Sequence, residues 1–286
     1  MAENGTLTGP PQRVGVIGAG AWGTAIARSI ALAGNPVEIW SYEEDVARDI
    51  NREHENSRYL LGVDLPTSLS ATCNILEAVE NKDFLILAAP SLFILETFRK
   101  ISDAPNILSG KTSIGILTKG FLEIAGRPKL IVTALEEMLP DHYQDRLVYL
   151  SGPSHAEEVA RGKITGLISA SSNGKESIRF RELLSSSTLM VFSSLDVVGV
   201  QTSAAVKNVI ALAFGMLDAL KELSNRFGDN TESLLLAAGL NEIQLLGKAL
   251  GSNYPETFTS IAGVGDLDVT CRSKYGRNRR FGREII

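Results

Sequence analysis

The stretch from Arg13 to Trp40 constrains this chain more than any other. Residues 13–17 alternate and branch like a buried strand, and Gly18, Gly20 and Gly23 then spell G-x-G-x-x-G. Residues 21–33 are rich in Ala, Ile and Leu and predict a helix. Gly34-Asn35-Pro36 stops it, and Val37–Trp40 predicts a return strand. Each glycine has its own task in such a turn. Gly18 permits the tight bend, Gly20 lets a pyrophosphate approach the backbone, and Gly23 lets helix pack closely on strand. The helix N-terminus would turn unpaired N–H groups toward the phosphates. A glycine-rich turn in an ordinary α/β protein is the alternative, but the strand before and the helix after favour a dinucleotide site.

Downstream, strand-like and helix-like runs alternate. Glu43–Asn56 predicts a charged helix, Arg58–Pro66 a loop, Ser70–Asn74 a short strand and Ile75–Asn81 a helix. Phe84–Ala89 is a continuous apolar strand, as buried parallel strands are, and it stops at Pro90. A helix over Leu92–Ile101, a strand over Thr112–Leu117, a helix over Lys129–Leu139 and a strand over Arg146–Leu150 follow. Thr165–Ala170 and Leu189–Phe192 are two more strand-like runs flanking the helix Glu176–Leu184. This alternation implies an α/β fold, a Rossmann-type doubly wound parallel sheet with its site at the strands' carboxyl ends. From Asp196 onward the pattern is helical, over 196–222, 231–250 and 277–286. The expected organisation is therefore a tail over 1–12, a dinucleotide-binding domain over 13–194 and an all-helical domain over 195–286.

Composition narrows the partners. A net charge of −5 argues against general affinity for nucleic acid or an anionic membrane. Cys73 and Cys271 lie far apart, and His54, His142 and His155 are scattered, so no metal site is expected. Met1–Gln12 is polar and rich in Gly and Pro, unlike a secretory signal, which leaves cytoplasmic thiols as the expectation.

Two segments carry candidate chemistry. Val197–Leu217 holds one ionisable side chain, Lys207, followed at once by Asn208. Its length invites a membrane-spanning reading. Gln201, Thr202 and Ser203 make that expensive, so a buried helix with a functional lysine fits better. Desolvation disfavours a buried lysine's charged form and moves it toward acid–base use, whereas a lysine that snorkels to the surface would stay inert. Residues 272–283 hold six cations and no acid. They form either a solvated basic face or an anion pocket in which Arg277 and Asn278 fork onto a phosphate. Nucleic acid fits less well, since only Tyr275 and Phe281 could stack on bases.

These residues resemble the bacterial-type NAD(P)-dependent glycerol-3-phosphate dehydrogenases. The matching motifs are Gly18-Ala-Gly-Ala-Trp-Gly-Thr-Ala25, Thr118-Lys119-Gly120, Ser151-Gly-Pro-Ser-His-Ala156, Val206-Lys207-Asn208-Val209, Gly265-Asp266-Leu267 and Arg277-Asn-Arg-Arg-Phe-Gly282. The resemblance implies reduction of dihydroxyacetone phosphate to sn-glycerol 3-phosphate for phospholipid synthesis. It implies that Lys207 is the general acid–base group and that Lys119 touches cofactor and substrate. It also implies that Gly152, Ser154, Asp266, Gly276, Arg277 and Asn278 hold the substrate. The cofactor, NAD with NADP also admitted, would meet Gly18, Gly20, Ala21, Trp22, Gly23, Tyr42, Tyr59, Pro90, Lys119, Ala156 and Arg277. A homodimer is left open.

The chain departs from that family in two places. It stops within a helical pattern at Ile286, where members of the family continue, so a C-terminally shortened product is expected. The family often has His or Arg just past the second strand, whereas Ser41 is followed here by Tyr42, Glu43 and Glu44. No Lys or Arg lies between Arg28 and Arg48, so NADH is expected to be favoured over NADPH. Two rivals remain. The 3-hydroxyacid and 6-phosphogluconate dehydrogenases use Lys-x-x-x-Asn, which the directly adjacent Asn208 argues against. A dinucleotide-binding relative without turnover is the other.

Overall fold

The computed structural model describes residues 10–273 and 276–286. Most of the expected tail (residues 1–9), together with Lys274 and Tyr275, lies outside the described residues. Contacts divide the chain into one unit over Met1–Leu150 and Ser154–Leu195 and a second over Ser151–Pro153 and Asp196–Ile286.

The first unit is built on a sheet whose strands are β1 (Val14–Ile17), β2 (Val37–Trp40), β3 (Leu69–Thr72), β4 (Phe84–Leu87), β5 (Ser113–Ile116), β8 (Val148–Ser151), β9 (Thr165–Ala170) and β10 (Leu189–Ser194). Their order is β10-β9-β8-β5-β4-β1-β2-β3. β1 pairs in parallel with both β2 and β4, so the sheet reverses direction of growth at that point. This is the doubly wound order, with the crevice at the carboxyl ends of β1 and β4. The run Phe84-Leu-Ile-Leu87 is buried at every position, as is Val14-Gly-Val-Ile17, which central strands covered on both faces require. Helices α1 (Ala21–Leu32) and α7 (Gly174–Leu184) bury Ile26, Ile30, Phe180 and Leu183 against them. Each such side chain contributes roughly 1.5–3 kcal/mol when withdrawn from water. At the edge, Asn51 in α2 (Glu44–Glu53) closes β3 by bonding both the N–H and the C=O of Ala71 at 2.8 Å.

Between β3 and β8 the chain departs from expectation in two places. Ile75–Asn81, expected as a helix, forms successive turns. Between Gly120 and Ile131, β6 (Phe121–Ile124) and β7 (Arg127–Leu130) form an antiparallel hairpin that the sequence reading does not contain. Its connecting residues Ala125 and Gly126 both have positive φ, at 52° and 73°, as a primed two-residue turn demands. The helices α3 (Ile94–Arg99), α4 (Pro105–Leu108) and α5 (Ile131–Glu136) are short, and α6 (Ala156–Ala160) follows β8.

The second unit is helical among its described residues. Its centre is α8 (Val197–Leu223), capped by the Asp196 carboxylate, which accepts from the Gly199 N–H at 2.8 Å and the Ser252 hydroxyl at 2.7 Å. Helices α9 (Asp229–Ala249), α10 (Glu256–Thr259), α11 (Asp266–Arg272) and α12 (Arg277–Ile285) complete it, with a π-helical turn over Ile261–Gly265 leading into α11. Ala211, Phe214, Ile243, Phe258 and Leu267 form its core. By length and composition, α8 is the one helix among the described residues apolar enough to cross a membrane, and more than half of that apolar window is buried in the fold.

Candidate active site

In the first unit the site begins at the glycine turn. Gly18 has φ +125°, and a Cβ there would lie 2.9 Å from the Ala88 carbonyl beyond β4. Gly23 has no room either, because a Cβ would run into the Gly18 carbonyl oxygen. Gly20, the N-cap of α1, differs: its φ is −70°, and a Cβ there would meet nothing within 4 Å. The fold therefore has no packing need for a glycine at 20, whereas a phosphate approaching the first amides of α1 would need that space. The residues present fit a dinucleotide.

Neighbouring pieces are held to this turn. Asn56 is buried, and its Nδ2 donates to the Ala19 carbonyl at 2.9 Å and to Thr24 Oγ1 at 2.8 Å, while its Oδ1 accepts from the Tyr59 N–H. The loop carrying Arg58 and Tyr59 is thus fastened to the fingerprint. Ala21 and Trp22 pack with Leu60, Val63 and Ala156, which brings the start of α6 to the start of α1. Beyond β2, Ser41 is fully buried and its hydroxyl exchanges hydrogen bonds with the Glu43 backbone, so it is not available to a ligand. Tyr42 is exposed, and the Glu43 carboxylate accepts from the Tyr59 hydroxyl at 2.7 Å. That hydrogen bond raises the phenol above its usual range. Arg58 sits 5.6 Å from the Tyr59 ring and pairs with Asp45. Pro90 follows β4 and Lys119 follows β5, where the Thr118 hydroxyl donates to the Ala89 carbonyl at 2.6 Å. Sequence reasoning missed Asn56 and Arg58, because neither belongs to a local pattern.

The second unit gathers the acid–base candidates. Lys207 is 8% exposed, so it does not snorkel to the surface. Its Nζ donates to Asp266 Oδ1 at 2.5 Å, across a sequence separation of 59. Asp266, 1% exposed, opens α11 directly after the π turn, and π turns recur at functional positions because they re-aim the residues that follow. Its other oxygen accepts from the Ser151 hydroxyl at 3.2 Å. Gly152 adjoins Ser151 in the same unit, while Ser154 belongs to the first.

The basic run of residues 272–283 is not one charged face. Arg272 pairs with Asp268 at 2.7 Å, Arg283 with Glu222 at 2.5 Å, and Arg279 is buried in a two-pronged contact with Asp218 at 2.6 and 2.7 Å. Arg279 Nη1 also donates to the Cys271 carbonyl at 2.6 Å. Gly276 caps α12, and Arg277 and Asn278 are exposed on its first turn. Among the described residues no group of three or more His, Cys, Asp or Glu side chains is placed to hold a metal.

Two family models cover nearly the whole chain: NAD-dependent glycerol-3-phosphate dehydrogenase N-terminus over residues 13–177 and its C-terminus over residues 196–286. The chain belongs to this family. A glycerol-3-phosphate dehydrogenase (NAD(P)+) of Treponema denticola is 55% identical over 281 residues, covering 96% of this chain and 78% of its own length. The Treponema pallidum enzyme of the same name is 53% identical, covering 96% and 79%. The crystal structure of glycerol-3-phosphate dehydrogenase from Coxiella burnetii superposes with a TM-score of 0.82 at 33% identity, covering 96% of this chain and 80% of that one. As a glycerol-3-phosphate dehydrogenase family member the chain is an NAD(P)-dependent oxidoreductase, and the Rossmann-type sheet followed by a helical part is the architecture expected of it.

Proposed function

We propose that this chain catalyses reversible reduction of dihydroxyacetone phosphate to sn-glycerol 3-phosphate, supplying glycerophospholipid synthesis in the cytoplasm. The observation that carries the reading is the buried Lys207–Asp266 pair, because a lysine withheld from water beside a fixed carboxylate is placed for proton transfer. Residues 13–194 serve as the dinucleotide-binding domain, through Gly18, Gly20, Ala21, Trp22, Gly23, Tyr42, Tyr59, Pro90, Lys119 and Ala156. Residues 195–286 serve as the substrate domain. The bound cofactor supplies the hydride. Lys207 Nζ gives a proton to the carbonyl oxygen at C2 during reduction and takes it back in the reverse direction. Asp266 fixes the direction of Nζ, and Ser151 in turn steadies Asp266. Lys119 adds positive charge against the developing alkoxide. Gly152, Ser154, Gly276 and Asn278 line the substrate, and Arg277 takes its phosphate and touches the cofactor. α8 is a core helix, not a membrane span, and a homodimer is the assembly to test for. NADH consumption with dihydroxyacetone phosphate, against NAD(P)H formation from NAD(P)+ with 6-phosphogluconate and a 3-hydroxyacid, tests the reading. Turnover of either rival alone, or of none of the three, would overturn it.

Arg277 gives a sharper test. An arginine–phosphate contact is worth roughly 1.5–3 kcal/mol, and it lowers the barrier only when the phosphate is present. Arg277→Ala is therefore expected to cut kcat/KM for dihydroxyacetone phosphate by about 10- to 100-fold and for unphosphorylated dihydroxyacetone far less. Equal losses on both substrates would place Arg277 outside the phosphate site.

The three glycines separate binding from folding. Gly20→Ala is expected to keep the melting temperature within about 2 °C, since its Cβ meets open space, while weakening dinucleotide binding. Gly23→Val is expected to lower stability by roughly 1–3 kcal/mol through overpacking against Gly18. Thermal melts and NADH titrations of the two variants check this; a melting loss at Gly20 matching that at Gly23 would contradict it.

A further inference from the structure

Resting on the dehydrogenase reading, we propose that Arg58, opposed by Glu43, is the residue that lets this chain accept a dinucleotide carrying a 2′-phosphate. In a doubly wound sheet the residues beyond the second strand meet the adenosine ribose. Ser41 cannot serve, since it is buried and its hydroxyl is taken by the Glu43 backbone. Glu43 can. Its carboxylate is an acceptor suited to a free ribose hydroxyl and repels a phosphate.

The cation that offsets this repulsion comes from elsewhere in the chain. Arg58 lies fifteen residues past Glu43, beyond α2, but Asn56 ties its loop to the Ala19 carbonyl inside the glycine turn. Tyr59 bonds the same loop to Glu43 at 2.7 Å. Arg58 is half exposed and faces Asp45, also half exposed, at 3.4 Å. So exposed a pair holds its cation weakly. A 2′-phosphate offers a higher charge and three acceptor oxygens to the planar guanidinium fork, so Arg58 exchanges Asp45 for it. One corner thereby presents an acceptor for the hydroxyl form and a fork donor for the phosphorylated form. The NADH preference that Glu43 and Glu44 alone would give is narrowed accordingly.

Equilibrium titrations of NADH and NADPH, followed by quenching of Trp22 and Trp40 fluorescence, test this without turnover. In the unmodified protein the NADPH Kd should rise more steeply with salt than the NADH Kd. Arg58→Ala should raise the NADPH Kd at least about tenfold more than the NADH Kd and remove the extra salt dependence. Glu43→Gln should move the ratio the opposite way, by a few-fold. Equal changes for both cofactors, or none for NADPH in Arg58→Ala, would overturn the assignment of Arg58. Failure of the unmodified protein to bind NADH would instead sink the dehydrogenase reading on which it rests.

Discussion

Lys207→Ala is expected to lower kcat by about 10²–10⁴ while leaving the NADH dissociation constant within about twofold, because it removes proton transfer and no dinucleotide contact. The substitution also strands Asp266, which is 1% exposed, as a buried carboxylate without its cation. Breaking a buried pair from one side costs on the order of 3–5 kcal/mol, so a melting loss is expected as well. The double variant Lys207→Ala/Asp266→Asn separates the two effects. It should regain most of the stability, since a neutral amide needs no counter-charge, and none of the turnover. Turnover returning together with stability would show that Lys207 serves the fold and not the chemistry.

The second large effect is on stability alone. Asp218→Ala is expected to destabilise the helical unit by about 3–5 kcal/mol, because Arg279 is 9% exposed and both its prongs to Asp218 would be lost. A melting temperature lower by on the order of 10 °C is the readout. Replacing both partners with apolar residues of similar size, Asp218→Leu/Arg279→Met, should cost much less than the single change, as buried ion pairs often roughly balance their own desolvation. If the double variant melts as low as the single one, the pair contributes through its geometry and not through charge compensation.

Both predictions concern contacts that span about sixty residues, and such contacts were where the sequence was least legible. The glycine turn, the central strands and the long apolar helix could be read because each is a local pattern: three glycines at fixed offsets, continuous apolar runs, one lysine in an apolar stretch. Periodicity carries no information about pairing at a distance. So Arg279 stood in the sequence as one of six cations on a basic run, and only the fold shows Asp218 withdrawing it from that surface. The family resemblance implied a substrate contact for Asp266, and its pairing with Lys207 was not legible in the sequence at all. Arg58 lies outside the cation-free window between Arg28 and Arg48 that borders the second strand, and the Asn56 side chain fastens its loop to the glycine turn from beyond that window. The hairpin at Ala125-Gly126 was missed for a different reason. Alanine is an uncommon residue at positive φ, so a turn built on φ 52° there leaves no turn signature in the sequence. The segment Ile75–Asn81 had helix-compatible composition over seven residues, too few for propensity to outweigh the surrounding packing.

The open space beside Gly20 bears on how this protein can change over generations. A substitution at Gly18 or Gly23 announces itself as a folding defect, and cellular quality control removes the product. A substitution at Gly20 meets no such filter. The altered chain would fold, accumulate and persist, with only its hold on the dinucleotide weakened. Descendants that keep the architecture while abandoning the chemistry can therefore be reached through this position, and a fold-stability screen would pass them.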